Sequence, residues 1–247
     1  MRYLVLSDIH SNLEAFQAVL DDAGLVDGIW CLGDVVGYGP DPNACVDLLR
    51  SKSHLCVAGN HDWGTLGKLD LRDFNVDARE ANLWNREQLT PDNLAFLDAL
   101  PETIVEGDFT LAHGSPCEPI WEYIAHPSTA YDSFDCFSTP YCFVGHTHSP
   151  VIFRMDGEYG EQGEDQTETV ADLSSGLVPL GSERLIINPG SVGQPRDGDP
   201  RAGYVLLDVE ARTVVHRRVP YPIGQTQEKM TGHGLPPRLI TRLRFGW

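Results

Sequence analysis

The sequence predicts an α/β protein in which two packed β-sheets form a single domain over residues 1–247. Short apolar segments alternate with helical patterns through the first 60 residues, which implies parallel strands joined by crossover helices. After residue 150, apolar segments follow one another across turns, which favours a second, mostly antiparallel sheet. We find no linker long enough to separate two domains.

The first part of the chain gives three strands and two helices in alternation. Residues 3–6, 28–32 and 54–58 are short apolar runs that end in polar or glycine-containing turns, as buried strands do. Residues 13–20 carry apolar side chains at helical spacing. Pro42 suits the first turn of a second helix, which we expect to reach about Arg50.

Two more helices and a set of further strands complete the prediction. One helix covers roughly residues 76–88, and the next has Thr90 as its N-cap, Pro91 as its first residue and an end near Leu100. The further strands are 109–112, 141–144, 151–153, 185–187, 204–207 and 214–215, and no convincing helix follows residue 150.

Two segments are set apart by their charge. Residues 156–169 are acidic, lack Lys and Arg, and are expected to form a solvated hairpin loop. The C-terminal tail, about residues 225–247, carries Arg238, Arg242 and Arg244 among Leu and Pro. That tail either docks on the acidic body or is exposed.

The composition excludes several classes of partner. The chain has 36 acidic and 18 basic side chains, a formal net charge of −18, so extended nucleic acid and anionic membrane are poor partners. A small phosphate ester stays possible where something local supplies positive charge. No run of about 18 apolar residues and no signal peptide is present, which favours a cytoplasmic protein with reduced thiols. The six cysteines, at 31, 45, 56, 117, 136 and 142, form no C-x-x-C motif.

Metal-ligand side chains follow five of the predicted strands. Ligand sites in open α/β sheets lie at the carboxyl ends of the strands, so these turns are expected to meet in one crevice. A lone histidine is more often a surface or packing residue, but five of the nine histidines stand in such turns beside Asp or Asn. The residues are Asp8, His10, Asp34, Asn60, His61, Asp62, His113, His146 and His148.

The spacing within these turns has a physical reason. Residues two apart in an extended segment point to the same side, so Asp8 with His10, and His146 with His148, can each place two side chains in one site. Neighbouring glycines let the backbone turn tightly. Mixed imidazole and carboxylate ligation suits Mn, Fe or Zn better than Ca. Seven ligands drawn from these nine residues would be too many for one tetrahedral ion but would suit two ions that share a carboxylate.

In order along the chain, these turns read Asp8-x-His10, Gly33-Asp34, Gly59-Asn60-His61-Asp62, His113 and Gly145-His146-x-His148. This ordered pattern resembles the calcineurin-like metallophosphoesterases, whose blocks are D-x-H, G-D, G-N-H-[DE], H and G-H-x-H. Residues 188–196 resemble a later signature of the small bacterial branch of that family. The resemblance implies a four-layer α/β/β/α sandwich of two mixed sheets flanked by helices.

The resemblance also implies a dinuclear metal centre. One ion would be held by Asp8, His10, Asp34 and His148, and the other by Asp34, Asn60, His113 and His146, with Asp34 as the bridge. A metal-bound hydroxide would attack phosphorus while the two ions neutralise the phosphate oxygens. His61 matches the histidine that protonates the leaving group or contacts a phosphate oxygen. We expect manganese first among the metals, with Fe, Zn, Ni or Mg as alternatives.

Departures from the family pattern bear on the substrate. Protein phosphatases of this family carry an Arg in the block after Gly-Asp, which here has none, so phosphoprotein hydrolysis is in doubt. Arg196 is our candidate for the missing cation, against the alternative that it pairs at the surface with Asp197 or Asp199. Asn12 is a second candidate phosphate contact, against the alternative that it is a helix N-cap.

The expected function is therefore metal-dependent hydrolysis of small phosphate monoesters or diesters. The alternatives are a dinucleoside polyphosphate hydrolase and a serine/threonine protein phosphatase, which share this core. A non-enzymatic scaffold, the role that this fold has in one retromer subunit, is disfavoured because His61 and all seven ligands are present. The oligomeric state is left open.

Overall fold

Among the described residues, two six-stranded mixed sheets lie at the centre of the fold. The computed structural model describes residues 1–155, 167–170 and 176–247. The strands are β1 (Arg2–Leu6), β2 (Gly28–Cys31), β3 (His54–Cys56), β4 (Thr103–Glu106), β5 (Phe109–Ala112), β6 (Tyr141–Phe143), β7 (Val151–Met155), β8 (Thr167–Val170), β9 (Leu177–Pro179), β10 (Arg184–Asn188), β11 (Ala202–Asp208) and β12 (Thr213–Val219). The first sheet has the order β3-β2-β1-β11-β12-β9, and the second has the order β4-β5-β6-β10-β7-β8.

The apolar side chains of β1 alternate between two cores, which explains the layered arrangement. Val5 packs in a cluster with Phe109 and Phe143 of the second sheet, so that cluster lies between the sheets. Leu4 and Leu6 belong instead to a cluster with Phe16 of the first helix. Because neighbouring strand residues face opposite sides, one apolar run supplies both cores.

Helices cover both outer faces and complete the predicted α/β/β/α sandwich. They are α1 (Leu13–Ala23), α2 (Pro42–Arg50), α3 (Asn60–Leu66), α4 (Val76–Gln88), α5 (Pro91–Asp98), α6 (Pro127–Ser133), α7 (Ile223–Gly232) and α8 (Pro237–Arg242). On the far side of the second sheet, Ala130 of α6 packs with Cys142 and Ile186. The Thr90 side chain accepts a hydrogen bond from the backbone N–H of Asn93, as the N-cap prediction requires.

The later strands are distributed differently from the sequence prediction. Residues 204–207 and 214–215 do not join a separate antiparallel sheet, because β11 pairs with β1 and extends the first sheet through β12. Conversely, β5 and β6 belong to the second sheet, where they pair in parallel. Strand β4 and helices α3 and α6, which the sequence pattern did not predict, are also present. Apolar runs in the sequence indicate where strands lie but not which strands they pair with.

The tail at 225–247 is helical and docked, which corrects the expectation that no helix follows residue 150. Met230 of α7 and Leu239 of α8 pack in a cluster with Tyr38 and Phe74. On α7, the Lys229 ammonium lies 2.5 Å from a Glu14 carboxylate oxygen and 2.8 Å from an Asp41 carboxylate oxygen. Short helices are marginal in isolation, and this packing explains why α7 and α8 form.

Two further expectations are changed by the structure. Cys117 and Cys136 form a disulfide, their Cα atoms 5.2 Å apart, although all six thiols were expected to be reduced. The other four cysteines are free and buried. Of the predicted acidic loop, 156–166 lies outside the described residues, while 167–169 belongs to β8, which pairs with β7. Within the described ranges, no helix has both the length and the apolar character needed to cross a bilayer.

Candidate metal centre

All seven predicted ligands lie together at the carboxyl ends of five strands. Each of these side chains is at least 98% buried. They follow β1, β2, β3, β5 and β6, so both sheets contribute to one site. The ligands are Asp8, His10, Asp34, Asn60, His113, His146 and His148.

The backbone at these turns is held in an unusual conformation. Among the described residues, eight other than glycine have a positive φ, and five of them are predicted ligands: Asp8, His10, Asp34, His146 and His148. The left-handed region costs non-glycine residues free energy and persists only where surrounding contacts impose it. Such strain concentrates at functional sites, in agreement with the site predicted from the sequence.

Close approach of the turns explains two of the neighbouring glycines. A Cβ on Gly59 would lie 2.1 Å from a carboxylate oxygen of Asp34. A Cβ on Gly145 would lie 1.9 Å from the Ser7 hydroxyl oxygen. These glycines therefore let the strand ends approach each other, which brings ligands from separate strands into one centre.

Asp8, His10 and His148 form one candidate metal-binding group. The Nε2 atoms of His10 and His148 are 3.1 Å apart, and Asp8 Oδ1 lies 3.3 Å from His148 Nε2. Each imidazole also uses its other nitrogen: His10 Nδ1 is 3.1 Å from the Val36 carbonyl oxygen, and His148 Nδ1 is 2.5 Å from that of Gln194. A carbonyl oxygen only accepts, so both Nδ1 atoms donate, and the two Nε2 atoms face each other as lone pairs.

Asp34, His113 and His146 form the second group. Burial opposes protonation of His113, but the Asp34 and Asp8 charges outweigh it and raise its pKa to about 9, so a metal ion held here would displace a proton from this ring. His113 donates from Nδ1 to the Leu32 carbonyl oxygen at 2.8 Å, and His146 donates from Nε2 to the Trp121 carbonyl oxygen at 3.2 Å. The remaining nitrogens, His113 Nε2 and His146 Nδ1, are 3.1 Å apart. Asn60 Oδ1 lies 3.1 Å from the same His113 Nε2 atom and completes the predicted set.

Asp34 lies between the two groups. Its Oδ2 atom is 3.6 Å from His10 Nε2 and 3.4 Å from His113 Nε2. Its Oδ1 atom accepts a hydrogen bond from the backbone N–H of His61 at 2.8 Å. Burial by itself would raise the pKa of Asp34, but the nearby His113 and His61 lower it below its ordinary value. Asp34 thus presents an ionised oxygen to both groups.

These residues fit a pair of cations. Asp8 Oδ1 and Asp34 Oδ2 are buried and have no hydrogen-bond donor among the described residues, which is costly unless a cation faces them. Burial raises the pKa of Asp8 to about 7, so its charged form needs compensation. Burial also lowers the pKa of His10 and His148, which keeps their facing nitrogens unprotonated and available as ligands. Nitrogen and oxygen donors in this mixture suit transition metals.

His61 belongs to neither candidate group. Its Nδ1 atom is 2.9 Å from Asn82 Oδ1, and its ring packs against those of His10 and Tyr38. Burial lowers the pKa of His61, and the Asp34 charge partly offsets that effect. Asn82 was not predicted from the sequence, because its position on α4 carries no motif that would point to His61.

Asp62 joins the turn after β2 to its own turn after β3. Its Oδ2 atom accepts from the backbone N–H groups of Asp34 and Gly59, at 2.9 and 3.0 Å, and its Oδ1 atom accepts from that of Val36 at 3.1 Å. Burial and the Asp34 charge raise the pKa of Asp62 to about 7, whereas three N–H donors favour the carboxylate. The sequence placed Asp62 in the motif but gave it no role; in the structure it supports the turn that carries Asp34.

The two predicted substrate contacts differ in their surroundings. Asn12 caps α1 by accepting from the Ala15 N–H, and its amide group donates to the Gly193 carbonyl and the Tyr221 hydroxyl. Its two amide hydrogens are thereby used within the protein. Arg196 does not pair with Asp197 or Asp199, which bind Arg218 and Arg201.

Arg196 lies instead over the metal-ligand turns. Its Nη2 atom is 2.9 Å from Gln194 Oε1 and 3.3 Å from the Tyr38 hydroxyl oxygen. Its charge contributes to lowering the pKa of His148, after burial, so the guanidinium is close to the first group. Because both hydrogen-bond partners are neutral, the charge of the half-buried Arg196 guanidinium is not neutralised by them and can attract an anion.

Residues 1–212 match the family model described as the calcineurin-like phosphoesterase superfamily domain. The chain belongs to this superfamily. An uncharacterized protein of Methanocaldococcus jannaschii is 40% identical over an alignment of 250 positions that covers 98% of this chain and 97% of that protein. A metallophosphoesterase from Sphaerobacter thermophilus is 47% identical, with a TM-score of 0.88 over 100% of this chain and 99% of that one.

A second solved structure shares the fold at lower identity. A hypothetical protein from Pyrococcus horikoshii is 19% identical, with a TM-score of 0.78 over 100% of this chain and 98% of that one. Calcineurin-like phosphoesterases depend on metal ions, and this chain carries two candidate ligand groups for them. Family and neighbours together make it a hydrolase of phosphoric ester bonds.

Proposed function

We propose that this metallophosphoesterase hydrolyses small phosphate monoesters or diesters with two metal ions held in the two candidate groups. The observation that carries the proposal is the position of Asp34 Oδ2, a buried oxygen to which no group in the described part of the chain donates. It lies within 3.6 Å of one histidine nitrogen from each group. A carboxylate oxygen in that position is suited to bridge two cations. The proposed location is the cytoplasm.

The proposed ligands for the first ion are Asp8, His10, Asp34 and His148, and those for the second are Asp34, Asn60, His113 and His146. When bound, two such ions supply Lewis acidity toward the phosphate oxygens and lower the pKa of a water molecule. We propose manganese, with Fe, Zn, Ni and Mg as alternatives, because the donors mix imidazole nitrogen with carboxylate oxygen. The chain fixes the ligand orientations through the carbonyl acceptors of its four histidines.

His61 is proposed to assist the leaving group. With Nδ1–H donated to Asn82, its Nε2 atom carries a proton only in the imidazolium form. Burial disfavours that form, and a bound phosphate anion favours it, so the proton is supplied when substrate is present. Arg196 is proposed to bind a non-bridging phosphate oxygen, which its position over the first group supports.

The metal assignment is tested by occupancy. Asp34→Asn should reduce manganese binding from about two equivalents to less than one, because Asp34 serves both groups. The matched variant His148→Ala should weaken mainly one equivalent, since His148 belongs to one group. Elemental analysis and metal titration give the stoichiometry. Equal loss of a single equivalent in both variants would show that Asp34 does not bridge, and no binding to the unmodified chain would remove the proposal.

The role of His61 is tested with two classes of substrate on the metal-loaded protein. His61→Ala should lose about 10²–10⁴-fold in turnover on alkyl phosphates. The loss on p-nitrophenyl phosphate should be smaller, because p-nitrophenolate leaves without a proton. Equal losses on both would assign His61 to binding a phosphate oxygen, and loss of metal would make it a ligand.

A further inference from the structure

Two exposed aromatic side chains stand beside the metal-ligand turns. Trp121 is 40% exposed and Tyr123 is 51% exposed, although both lie next to the buried ligand His146. The Tyr123 ring is stacked on the His146 ring, with centroids 3.7 Å apart, and the Trp121 ring lies at 6.1 Å and nearly parallel to it. Large aromatic surface left in water next to a reaction site is a candidate ligand contact.

The row of rings extends from His146 towards His61. Trp121 packs against Phe74, with centroids 4.9 Å apart, and Phe74 packs edge-on against His61 at 5.2 Å. The exposed rings therefore lie along one side of the centre, between the ligand His146 and the proposed proton donor. A group attached to a phosphate bound at the centre would lie beside these rings.

The segment that carries these rings is held in place from several directions. The Trp121 carbonyl oxygen accepts the His146 Nε2–H at 3.2 Å. Glu122, between the two aromatic residues, accepts a hydrogen bond from the Ser115 hydroxyl at 2.5 Å. The disulfide between Cys117 and Cys136 attaches the same segment to the end of α6. A surface fixed before binding loses little conformational entropy when a ligand stacks on it.

We infer that Trp121 and Tyr123 form a stacking surface for a planar aromatic group, which makes the substrate a phosphate ester of nucleotide size and type. This inference rests on the proposed function, because the phosphate must bind at the metal centre. Aromatic side chains stack on bases without requiring a particular sequence. The net charge of −18 disfavours a longer polyanion, so one nucleotide unit fits better than a nucleic acid strand.

The test compares two probes that differ only in the base: adenosine 5′-monophosphate and ribose 5-phosphate. Calorimetric binding to the manganese-loaded protein should show tighter binding of the nucleotide by about 5- to 150-fold, the range for one stacked base. Trp121→Ala and Tyr123→Ala should each reduce that ratio severalfold, and the ratio cancels any change in phosphate affinity at the metal centre that the two probes share. Trp121→Leu keeps an apolar contact with Phe74 but has no aromatic ring. It should therefore stay folded and show the same reduced ratio.

Trp247→Ala is the matched control, because Trp247 is 63% exposed and stacks only on Phe245 among the described rings. It should leave the ratio between the probes unchanged. Equal affinities of the two probes for the unmodified protein would overturn the inference, as would an unchanged ratio in the folded Trp121 and Tyr123 variants. Failure of both probes to bind would instead count against the proposed function, so the two failures are distinguishable.

Discussion

Replacing Asp62 with Asn tests whether its carboxylate holds the turn that carries Asp34 in place. The amide keeps the size of the side chain but has one acceptor oxygen. We expect this oxygen to keep the bonds from the Asp34 and Gly59 N–H groups, each weakened by about 1 kcal/mol by loss of the charge. The amide nitrogen then faces the Val36 N–H, and a buried unpaired donor costs about 1–3 kcal/mol. Because burial and the Asp34 charge raise the pKa of Asp62 to about 7, the neutral amide also relieves the cost of a buried charge, which offsets the two weakened bonds. Asp62→Asn should therefore lower the free energy of unfolding by about 1–3 kcal/mol, the cost of the unpaired Val36 N–H.

The assay is urea-induced unfolding of the chelator-treated protein, which separates these hydrogen bonds from metal binding. Asp21→Asn is the control, because Asp21 is exposed on α1 and undergoes the same chemical change. We expect that control to stay within about 0.5 kcal/mol of the unmodified protein. If Asp62→Asn is equally mild, the three bonds do not stabilise the turn and the reasoning fails.

Three further predictions concern the disulfide, His216 and competition between protons and metal. Reducing the bond between Cys117 and Cys136, which are 19 residues apart, should lower the free energy of unfolding by about 3 kcal/mol; identical unfolding curves with and without reductant would contradict this. Burial, aided by the Arg218 charge, lowers the pKa of His216 to about 4, so the folded state favours the neutral ring. The neutral ring contributes fully to the free energy of unfolding above about pH 6.5, and this contribution of about 2–3 kcal/mol is lost as the pH falls towards 4. The difference in the free energy of unfolding between pH 7 and pH 4 should therefore be smaller by that amount in His216→Gln. Raising the manganese concentration should move the acid limb of the rate profile to lower pH, since protons and metal compete for the ligand atoms; a limb that does not move would assign it to another group.

The sequence was sufficient to predict that these five turns lie together in the fold. Polar ligands at strand ends, with glycines beside them, are local features, and topology alone carries strand ends to one edge. The same holds for α4 and α5, whose N-terminal side chains Asn75 and Thr90 cap them. These elements are specified by neighbours along the chain, so their patterns could be interpreted without coordinates.

Features that depend on distant contacts were not predicted. Asn82 contacts His61 from a helix whose pattern shows only that one face is buried. The disulfide needs two cysteines brought together in space, and the spacing of Cys117 and Cys136 indicates no pairing. Helix α8 has six residues and depends on the packing of Leu239 rather than on its own propensity.

The origin of the ligands in both sheets has a consequence for folding kinetics. The five ligand segments span residues 8 to 148, and each candidate group combines ligands that follow strands of both sheets. Loop closure over such distances comes late, so the metal sites are complete only after the sheets have docked. We therefore expect metal ions to slow unfolding much more than they accelerate folding, and the loaded protein to owe its persistence to a high unfolding barrier.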